Sequence, residues 1–236
     1  MAFPTKSAGF VAASTQHAKA NHSTSLSITG VMTIETWVKF TSIANSYVMT
    51  AKSNTTGNNR SYIFAYDGNT PFYVAANRLL FSGSSNGSTN DLVGGTSWTP
   101  TTGTWYHVAV VVGSGTPLTL TFYIDGVAQS TTYTTQTANA IFDSTAECGV
   151  GADPRAASYV NFMDGRMVLN RVWSEARSQA QISANKCVTL GATTNLAAEW
   201  TLNNTLNDNL GNSNTLTNGT GSPTFTADLP ATCSST

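Results

Sequence analysis

The acidic residues come first, because paired carboxylates would allow this chain to cleave a glycosidic bond. A glycosidase holds two carboxyl groups about 5–10 Å apart, one to protonate the leaving group and one to attack or to activate water. Carboxylates two residues apart on one strand would face the same side of a sheet. No acidic residues stand at that spacing, and Glu35, Glu147 and Glu199 each have uncharged residues there. The sequence therefore gives no support to a glycosidase, although it leaves open a pair drawn from separate strands.

The histidines form no motif that would carry catalysis or bind zinc. His17, His22 and His107 show no HExxH spacing and no recognisable triad. His107 lies in an apolar stretch, so we predict that it is a hydrogen-bonded structural residue. His17 and His22 are predicted at the surface, on the opening hairpin.

Aromatic side chains offer a better indication of binding. The apolar face of a sugar ring stacks on Tyr or Trp, whose polar end stays free to hydrogen-bond. Trp98, Tyr133 and Tyr159 fall in loop-like stretches of the sequence. We therefore predict these three residues as candidate ligand-binding platforms.

The composition excludes several classes of partner. Only 10% of residues are charged, against roughly 25% in ordinary globular proteins. The formal net charge of −1 provides no field that would attract nucleic acid. The longest apolar run, residues 108–112, is far shorter than the ~20 residues of a membrane span. A polar but nearly uncharged surface of this kind is typical of adhesins and virion proteins.

The start of the chain bears on where the protein acts. Residues 1–6 (MAFPTK) contain no basic stretch followed by an apolar one, so no secretory leader is predicted. Either a leader has been removed, or the protein leaves the cell by another route such as assembly into a virus particle.

The three cysteines leave two interpretations open. Their spacings fit no zinc-binding pattern. Cys187 and Cys233 bracket the C-terminal segment and would tie it down as a disulfide, with Cys148 left over. In a reducing cytosol all three would instead be free thiols.

Alternating apolar residues predict strands through most of the chain. Residues 118–124 alternate and lead into Asp125-Gly126, a tight hairpin turn. Further strands are predicted at residues 62–66, 72–75, 79–81 and 106–112. Polar loops are predicted at residues 53–59, 82–90 and 131–139. One short helix is predicted near residues 178–185, because Ser178 and Gln181 form a capping-box pattern.

Five segments, in the order in which they occur, carry a family resemblance. They are residues 33–40 (TIETWVKF), 103–110 (GTWYHVAV), 118–127 (LTLTFYIDGV), 149–152 (GVGA) and 164–173 (DGRMVLNRVW). Together they resemble the laminin-G-like or pentraxin-like family of concanavalin A-like jelly rolls. The resemblance covers about residues 14–182 and extends less firmly to residue 230. It implies an all-β jelly-roll sandwich of two antiparallel sheets with one short helix.

The resemblance and the strand pattern together define an expected core and an expected domain. We predict one domain over residues 1–236, with residues 195–230 a C-terminal strand segment packed on it. The expected core comprises Ile34, Trp37, Val38, Tyr62, Phe64, Val108, Val110, Leu120, Phe122, Ile124, Val150, Met167, Leu169 and Val172.

The resemblance also implies positions for a calcium ion, which takes about six to eight oxygen ligands. Pentraxin-like relatives carry acid and amide pairs in two loops, and the matching positions are Asp67 with Asn69, and Asp153. Asp208 occupies a DxxGN turn that ligates calcium in related bacterial modules. These four residues are the candidate metal ligands. The alternative is that Asp67 and Asp208 cap turns.

The function expected from these observations is binding and not catalysis. We expect a non-enzymatic structural or adhesion protein displayed on a virion or in the extracellular space. The first hypothesis is a phage decoration or tail-appendage protein that binds a glycan or cell-surface ligand and assembles with itself or other virion subunits. The alternatives are a carbohydrate-binding module of a secreted bacterial adhesin and, with least support, a glycoside hydrolase.

Overall fold

Alternating apolar residues place most of the chain in β-strands. The computed structural model describes residues 2–156 and 158–233, so the ends of the domain predicted over residues 1–236 lie outside the described residues. The strands, in chain order, are β1 (Ser7–Phe10), β2 (Ala18–Ala20), β3 (Met32–Phe40), β4 (Tyr47–Asn54), β5 (Asn59–Asp67), β6 (Arg78–Gly83), β7 (Leu92–Ser97), β8 (Trp105–Gly113), β9 (Thr119–Ile124), β10 (Val127–Gln129), β11 (Thr132–Gln136), β12 (Cys148–Val150), β13 (Asp153–Arg155), β14 (Ser158–Val160), β15 (Gly165–Trp173), β16 (Leu196–Trp200), β17 (Thr217–Asn218) and β18 (Thr224–Thr226).

Two antiparallel sheets of eight strands pack face to face. The first sheet has the order β10-β9-β8-β3-β15-β1-β18, and β16 pairs with β15 beyond the end of β1. The second has the order β11-β7-β6-β5-β4-β12-β2-β17. Strands β13 and β14 form a separate hairpin. The predicted jelly-roll sandwich is therefore confirmed.

Among the described residues, the one α-helix follows the long strand β15 of the first sheet. Helix α1 (Gln179–Asn185) begins with the predicted capping box, in which the Ser178 hydroxyl accepts from the backbone N–H of Gln181 and the Gln181 side chain accepts from the N–H of Ser178. Within residues 2–156 and 158–233, no helix is long and apolar enough to cross a membrane.

The main core lies between the sheets, where every second residue of each strand points inward. Ile34 and Val38 from β3 meet Tyr62 and Phe64 from β5 in this layer. Each fully buried side chain of this size stabilises the fold by about 1.5–3 kcal/mol. Of the predicted core residues all are buried except Ile124, which is half-buried and packs against the same layer.

Two of the predicted core residues are buried on the opposite face of the first sheet. Trp37 and Leu169 form a smaller cluster with Val168, beneath the N-terminal and C-terminal segments. The indole N–H of Trp37 donates to the carbonyl oxygen of Lys186 at 2.6 Å. This face is therefore covered by the chain's own ends and by the segment after α1.

The C-terminal segment is joined to both sheets. Strand β16 pairs with β15, β17 with β2 and β18 with β1. A disulfide links Cys187 to Cys233, while Cys148 is a buried free thiol.

The N-terminal segment lies inside its own chain's sheet. Its apolar residues suggest that a neighbouring subunit holds it, but β1 pairs with β15 and β18 and buries Ala8 and Phe10. Intrachain packing therefore accounts for those apolar residues.

Two local predictions are wrong. Residues 72–75 form no strand, because the Asp67 carboxylate accepts the backbone N–H groups of Phe72, Tyr73 and Val74 at 2.7–3.2 Å and folds them into a loop. Residues 131–139, predicted as a loop, contain β11, which pairs with β7.

Candidate functional site

The β13–β14 hairpin stands on the outer face of the second sheet, packed against β4. Asp153 anchors it from below. Its buried carboxylate accepts from the Tyr73 hydroxyl at 3.0 Å and from Arg155 Nε at 2.9 Å. Burial raises the pKa of Asp153, although the Arg155 charge and these hydrogen bonds oppose that rise. The hairpin is thus held in place by a buried side chain and presents its far side to solvent.

Tyr159 is the aromatic side chain that this hairpin presents. Its hydroxyl donates to Glu147 Oε2 at 2.7 Å. Its ring lies 4.0 Å from the His17 ring, with 30° between the two planes. Burial, together with the adjacent Glu147, raises the pKa of Tyr159, so the phenol stays protonated. The ring is half-buried and is fixed at both ends.

Lys19 and Glu147 form an ion pair beside this ring. Antiparallel pairing of β2 with β12 brings the two residues together, and Lys19 Nζ lies 2.8 Å from Glu147 Oε1. Burial raises the pKa of Glu147, but hydrogen bonds from Lys19 and Tyr159 outweigh it and hold that pKa below its ordinary value. Because the pair is about a third exposed, it contributes little to stability. It is available instead to hydrogen-bond a ligand.

His17 forms the floor on the other side of Tyr159. Its Nδ1 donates to the carbonyl oxygen of Thr15 at 2.9 Å, since a carbonyl can only accept. Burial lowers the pKa of His17, so the ring is neutral near pH 7. A Cβ at Gly219 would lie 2.0 Å from the ring, so only glycine lets the β17 loop approach so closely. The prediction that His17 lies at the surface is wrong, whereas His22 is exposed.

Two cavities open on either side of Tyr159 and Lys19. The hairpin cavity has a volume of about 210 Å³ and is lined by Lys19, Asn54, Glu147, Pro154, Ala156, Ser158 and Tyr159. The edge cavity has a volume of about 330 Å³ and is lined by His17, Lys19, Tyr159, Asn218, Gly219 and Thr220. Both combine one aromatic face with amide, hydroxyl and charged groups. Such a combination suits a ligand that is apolar on one face and hydroxylated at its edges.

A larger cavity, about 640 Å³, lies elsewhere, between β1, β15 and the C-terminal segment. Of its charged groups, Lys39, Arg166 and Asp228 already have partners: the Asp228 carboxylate accepts from Lys39 and from Trp105 Nε1, and the Arg166 guanidinium donates to Ser7. Its aromatic side chains are buried. The larger cavity therefore has no free aromatic platform, and we assign the site to Tyr159.

Tyr159 is the one predicted platform that lies in this site. Trp98 is half-buried and packs edge-on against Phe40, Tyr66 and Tyr106. Tyr133 lies on β11, where its hydroxyl accepts the backbone N–H of Leu120 at 2.5 Å. Both side chains close the end of the main core instead of facing a cavity.

The predicted metal ligands lie in separate places. Asp153 lies beneath the hairpin and Asp67 beneath the neighbouring loop, where the two are linked through Tyr73. Asn69 is exposed in that loop. Asp208 is buried next to β16, where Oδ1 accepts from the backbone N–H groups of Glu199 and Leu210 at 3.1 Å.

As arranged, these residues do not fit a calcium ion. The Asp67 carboxylate accepts three backbone N–H groups and the Ser46 hydroxyl, so protons surround the oxygens that a cation would need. In the described part of the chain, no three His, Cys, Asp or Glu side chains cluster as metal ligands. Calcium binding stays an untested prediction.

Two glutamates from separate strands do meet, but not as a catalytic pair. Arg171 lies between Glu35, at 3.3 Å, and Glu199, at 2.9 Å, and all three are fully buried. Burial raises the pKa of Glu35, but His107 and Arg171 outweigh it and lower that pKa to about 2. Glu35 is therefore ionised, and both carboxylates are paired with Arg171 and closed to substrate.

Most of the site could not be found by reading the sequence. Lys19, Asn54, Glu147 and Asn218 come from β2, β4, the approach to β12 and β17, and they share no motif. The one usable signal was Tyr159 in a polar stretch. Only the order of strands in the second sheet brings the other residues to it.

Three solved structures show the same fold. A candidate carbohydrate-binding protein from Bacteroides ovatus matches with a TM-score of 0.64 and 16% identity, over 95% of this chain and 60% of that one. This chain thus spans less than two thirds of that protein. The native heptameric SAP-like pentraxin from Limulus polyphemus matches with a TM-score of 0.63 and 15% identity, over 93% and 91% of the two chains.

The third structure is the CBM40 of the Ruminococcus gnavus IT-sialidase bound to α2,3-sialyllactose. It matches with a TM-score of 0.53 and 12% identity, over 71% of this chain and 93% of that one. At such identities these likenesses establish the fold alone.

Sequence comparison places the chain in a family. No curated protein sequence matches it significantly. The model of a laminin-G family, described as the concanavalin A-like lectin/glucanases superfamily, matches residues 12–183, which is more than half of the 236 residues. The chain belongs to the concanavalin A-like lectin/glucanases superfamily.

Proposed function

We propose that this protein is a non-catalytic carbohydrate-binding module and that the Tyr159 surface holds the glycan. The observation that carries the proposal is the fixed Tyr159 ring between two open cavities lined by amides, hydroxyls and the Lys19–Glu147 pair. A pyranose stacked on that ring would place its hydroxyls within reach of these groups. The carbohydrate-binding proteins among its structural relatives support the same class of ligand.

The absence of catalysis is part of the proposal. Among the described acidic residues, Glu147 alone lines either cavity: it lines the hairpin cavity, and its carboxylate is paired with Lys19 and Tyr159. Hydrolysis would need a second carboxyl group across the bond. We expect bound glycan to be recovered intact.

We also propose where the protein works. The nearly uncharged surface supports display on a virus particle, as a phage decoration or tail-appendage protein that contacts other virion subunits or its own copies. A module of a secreted bacterial adhesin is the alternative. The Cys187–Cys233 disulfide supports an oxidising, extracellular setting in either case. Antibody labelling of purified particles, compared with culture supernatant, separates the two.

A glycan array tests the function. The wild-type protein should bind at least one immobilised glycan, and Tyr159→Ala should abolish that binding. Phe72→Ala is the matched control, because Phe72 is a half-exposed aromatic residue that lines neither cavity. Circular dichroism and thermal melting verify that both variants are folded. If binding persists in Tyr159→Ala but is lost in Phe72→Ala, the glycan site lies at Phe72 and not at Tyr159. If the wild-type protein binds no glycan, the proposed function is wrong.

A further inference from the structure

The two cavities share one wall. Tyr159 and Lys19 line both, whereas Asn54 and Ser158 line only the hairpin cavity and Asn218 and Thr220 line only the edge cavity. A ligand lying across the shared wall would contact both sets of polar groups. A single sugar would contact only one.

The groups left for hydrogen bonding are neutral. Lys19 and Glu147 are the charged side chains of the two cavities, and they pair with each other at 2.8 Å. A sugar carboxylate that accepted from Lys19 would lie next to the Glu147 carboxylate, and an amino sugar that donated to Glu147 would lie next to the Lys19 ammonium. In each case repulsion from the second charge offsets attraction to the first, so a charged sugar gains little over a neutral one.

The remaining partners are amides, hydroxyls and one imidazole. Ser158, Asn218 and Thr220 are exposed, and the hydrogen bonds within residues 2–156 and 158–233 leave their side chains unused. His17 donates through Nδ1 to Thr15, which makes Nε2 an acceptor for a hydroxyl. Together these groups can donate to and accept from sugar hydroxyls on both sides of the Tyr159 ring.

We infer that the Tyr159 surface is a pair of subsites that binds a neutral oligosaccharide of at least two sugar units, one unit in each cavity. The inference rests on the proposed carbohydrate function and adds the class and the minimum length of the ligand. Tyr159 and Lys19 contact both units at the junction. Ser158 serves one unit and Asn218 the other.

The test is calorimetric titration with a neutral trisaccharide identified on the array, its constituent disaccharide and monosaccharide, and a carboxylated analogue of equal length. Affinity should rise steeply from the monosaccharide to the disaccharide. Ser158→Ala and Asn218→Ala should each weaken disaccharide binding about three- to tenfold, the amount expected for one lost hydrogen bond. For the monosaccharide, only one of the two substitutions should matter.

The outcomes separate this inference from the proposed function. If glycan binding depends on Tyr159 but only one of the two substitutions matters at every ligand length, there is a single subsite and the inference is wrong. Tighter binding of the carboxylated analogue would overturn the neutral class. If binding is insensitive to Tyr159→Ala, or no glycan binds, the proposed function itself fails. Thr220→Ala is a second edge-cavity variant on an exposed position if Asn218→Ala is unstable.

Discussion

At the scale of single residues, His17 connects stability to the binding surface. It is almost fully buried between the Tyr159 ring and the backbone of Gly219. The neutral form of the imidazole fits this position, because Nδ1 donates to the Thr15 carbonyl oxygen and burial disfavours a charged ring. The same ring therefore supports Tyr159 and reports on pH.

The lowered pKa of His17 gives a pH dependence of stability with a defined sign. The unfolded chain takes up a proton near pH 6.5, while the folded chain resists it, so stability is fully present above that pH and is lost as pH falls toward the folded pKa. Chemical denaturation at pH 7.5 and pH 5.5 should show this loss in the wild type. A folded His17→Gln variant should lose less stability over the same interval. Equal losses in both proteins would show that His17 does not titrate across this window.

Buried ions at this scale are structural. Arg171 donates to Glu35, to Glu199 and to the carbonyl oxygens of Asn185 and Val188, and so ties β15 to β3, β16 and the segment after α1. Removing one member would leave the others buried and uncompensated. Glu35 and Glu199 therefore help to hold the segment after α1 against the first sheet, and they take no part in binding.

At the scale of elements, the sequence predicted those strands, turns and helix ends that are determined by neighbouring residues. The alternation in β9 and the Asp125-Gly126 turn place β10 beside it, and both turn residues have positive φ as such a hairpin requires. The Ser178 and Gln181 pair begins α1 for the same reason.

Elements that depend on distant partners were not predictable. Residues 72–75 read as a strand because all four are apolar, but the Asp67 carboxylate accepts three of their backbone N–H groups and holds them in a loop. Strand β11 reads as a loop because its residues are polar, yet β7 supplies its hydrogen bonds. The site shares this limitation, since His17, Lys19 and Glu147 meet only through sheet order.

The disulfide between Cys187 and Cys233 holds the C-terminal segment over the first sheet. It closes a loop with a sequence separation of 46 residues, so its loss should lower the free energy of unfolding by about 2–4 kcal/mol. Urea denaturation of a double variant, Cys187→Ser with Cys233→Ser, measures this. The wild type in reductant should behave like the variant, because the remaining thiol, Cys148, is buried. Unchanged stability in both would show that the segment is held by packing alone.

At the scale of the whole molecule, three strands from the C-terminal segment complete both sheets. Strand β18 extends the first sheet and β17 the second, while β16 pairs with the long strand β15. The edge strand β17 and its loop also form one wall of the edge cavity. Closure of the sandwich and formation of the site therefore depend on the same segment.

Calcium removal is a test at this scale, because a bound ion would stabilise the whole fold by mass action. The protein's own donors engage both carboxylate oxygens of Asp67 and one oxygen each of Asp153 and Asp208. We therefore expect the same melting temperature with excess chelator and with excess calcium. A melting temperature that rises with calcium concentration would contradict this and would restore these residues as ligands.

The central claim is that a glycan lies across Tyr159. The most direct measurement is a two-dimensional NMR titration of the ¹⁵N-labelled protein with the tightest-binding glycan from the array. The account predicts that the largest amide shifts cluster at residues 17–19, 147, 155–156, 158–159 and 218–220, on both sides of the ring. Shifts that cluster instead around Trp98, around Phe72 or in the larger cavity between β1 and β15 would contradict it.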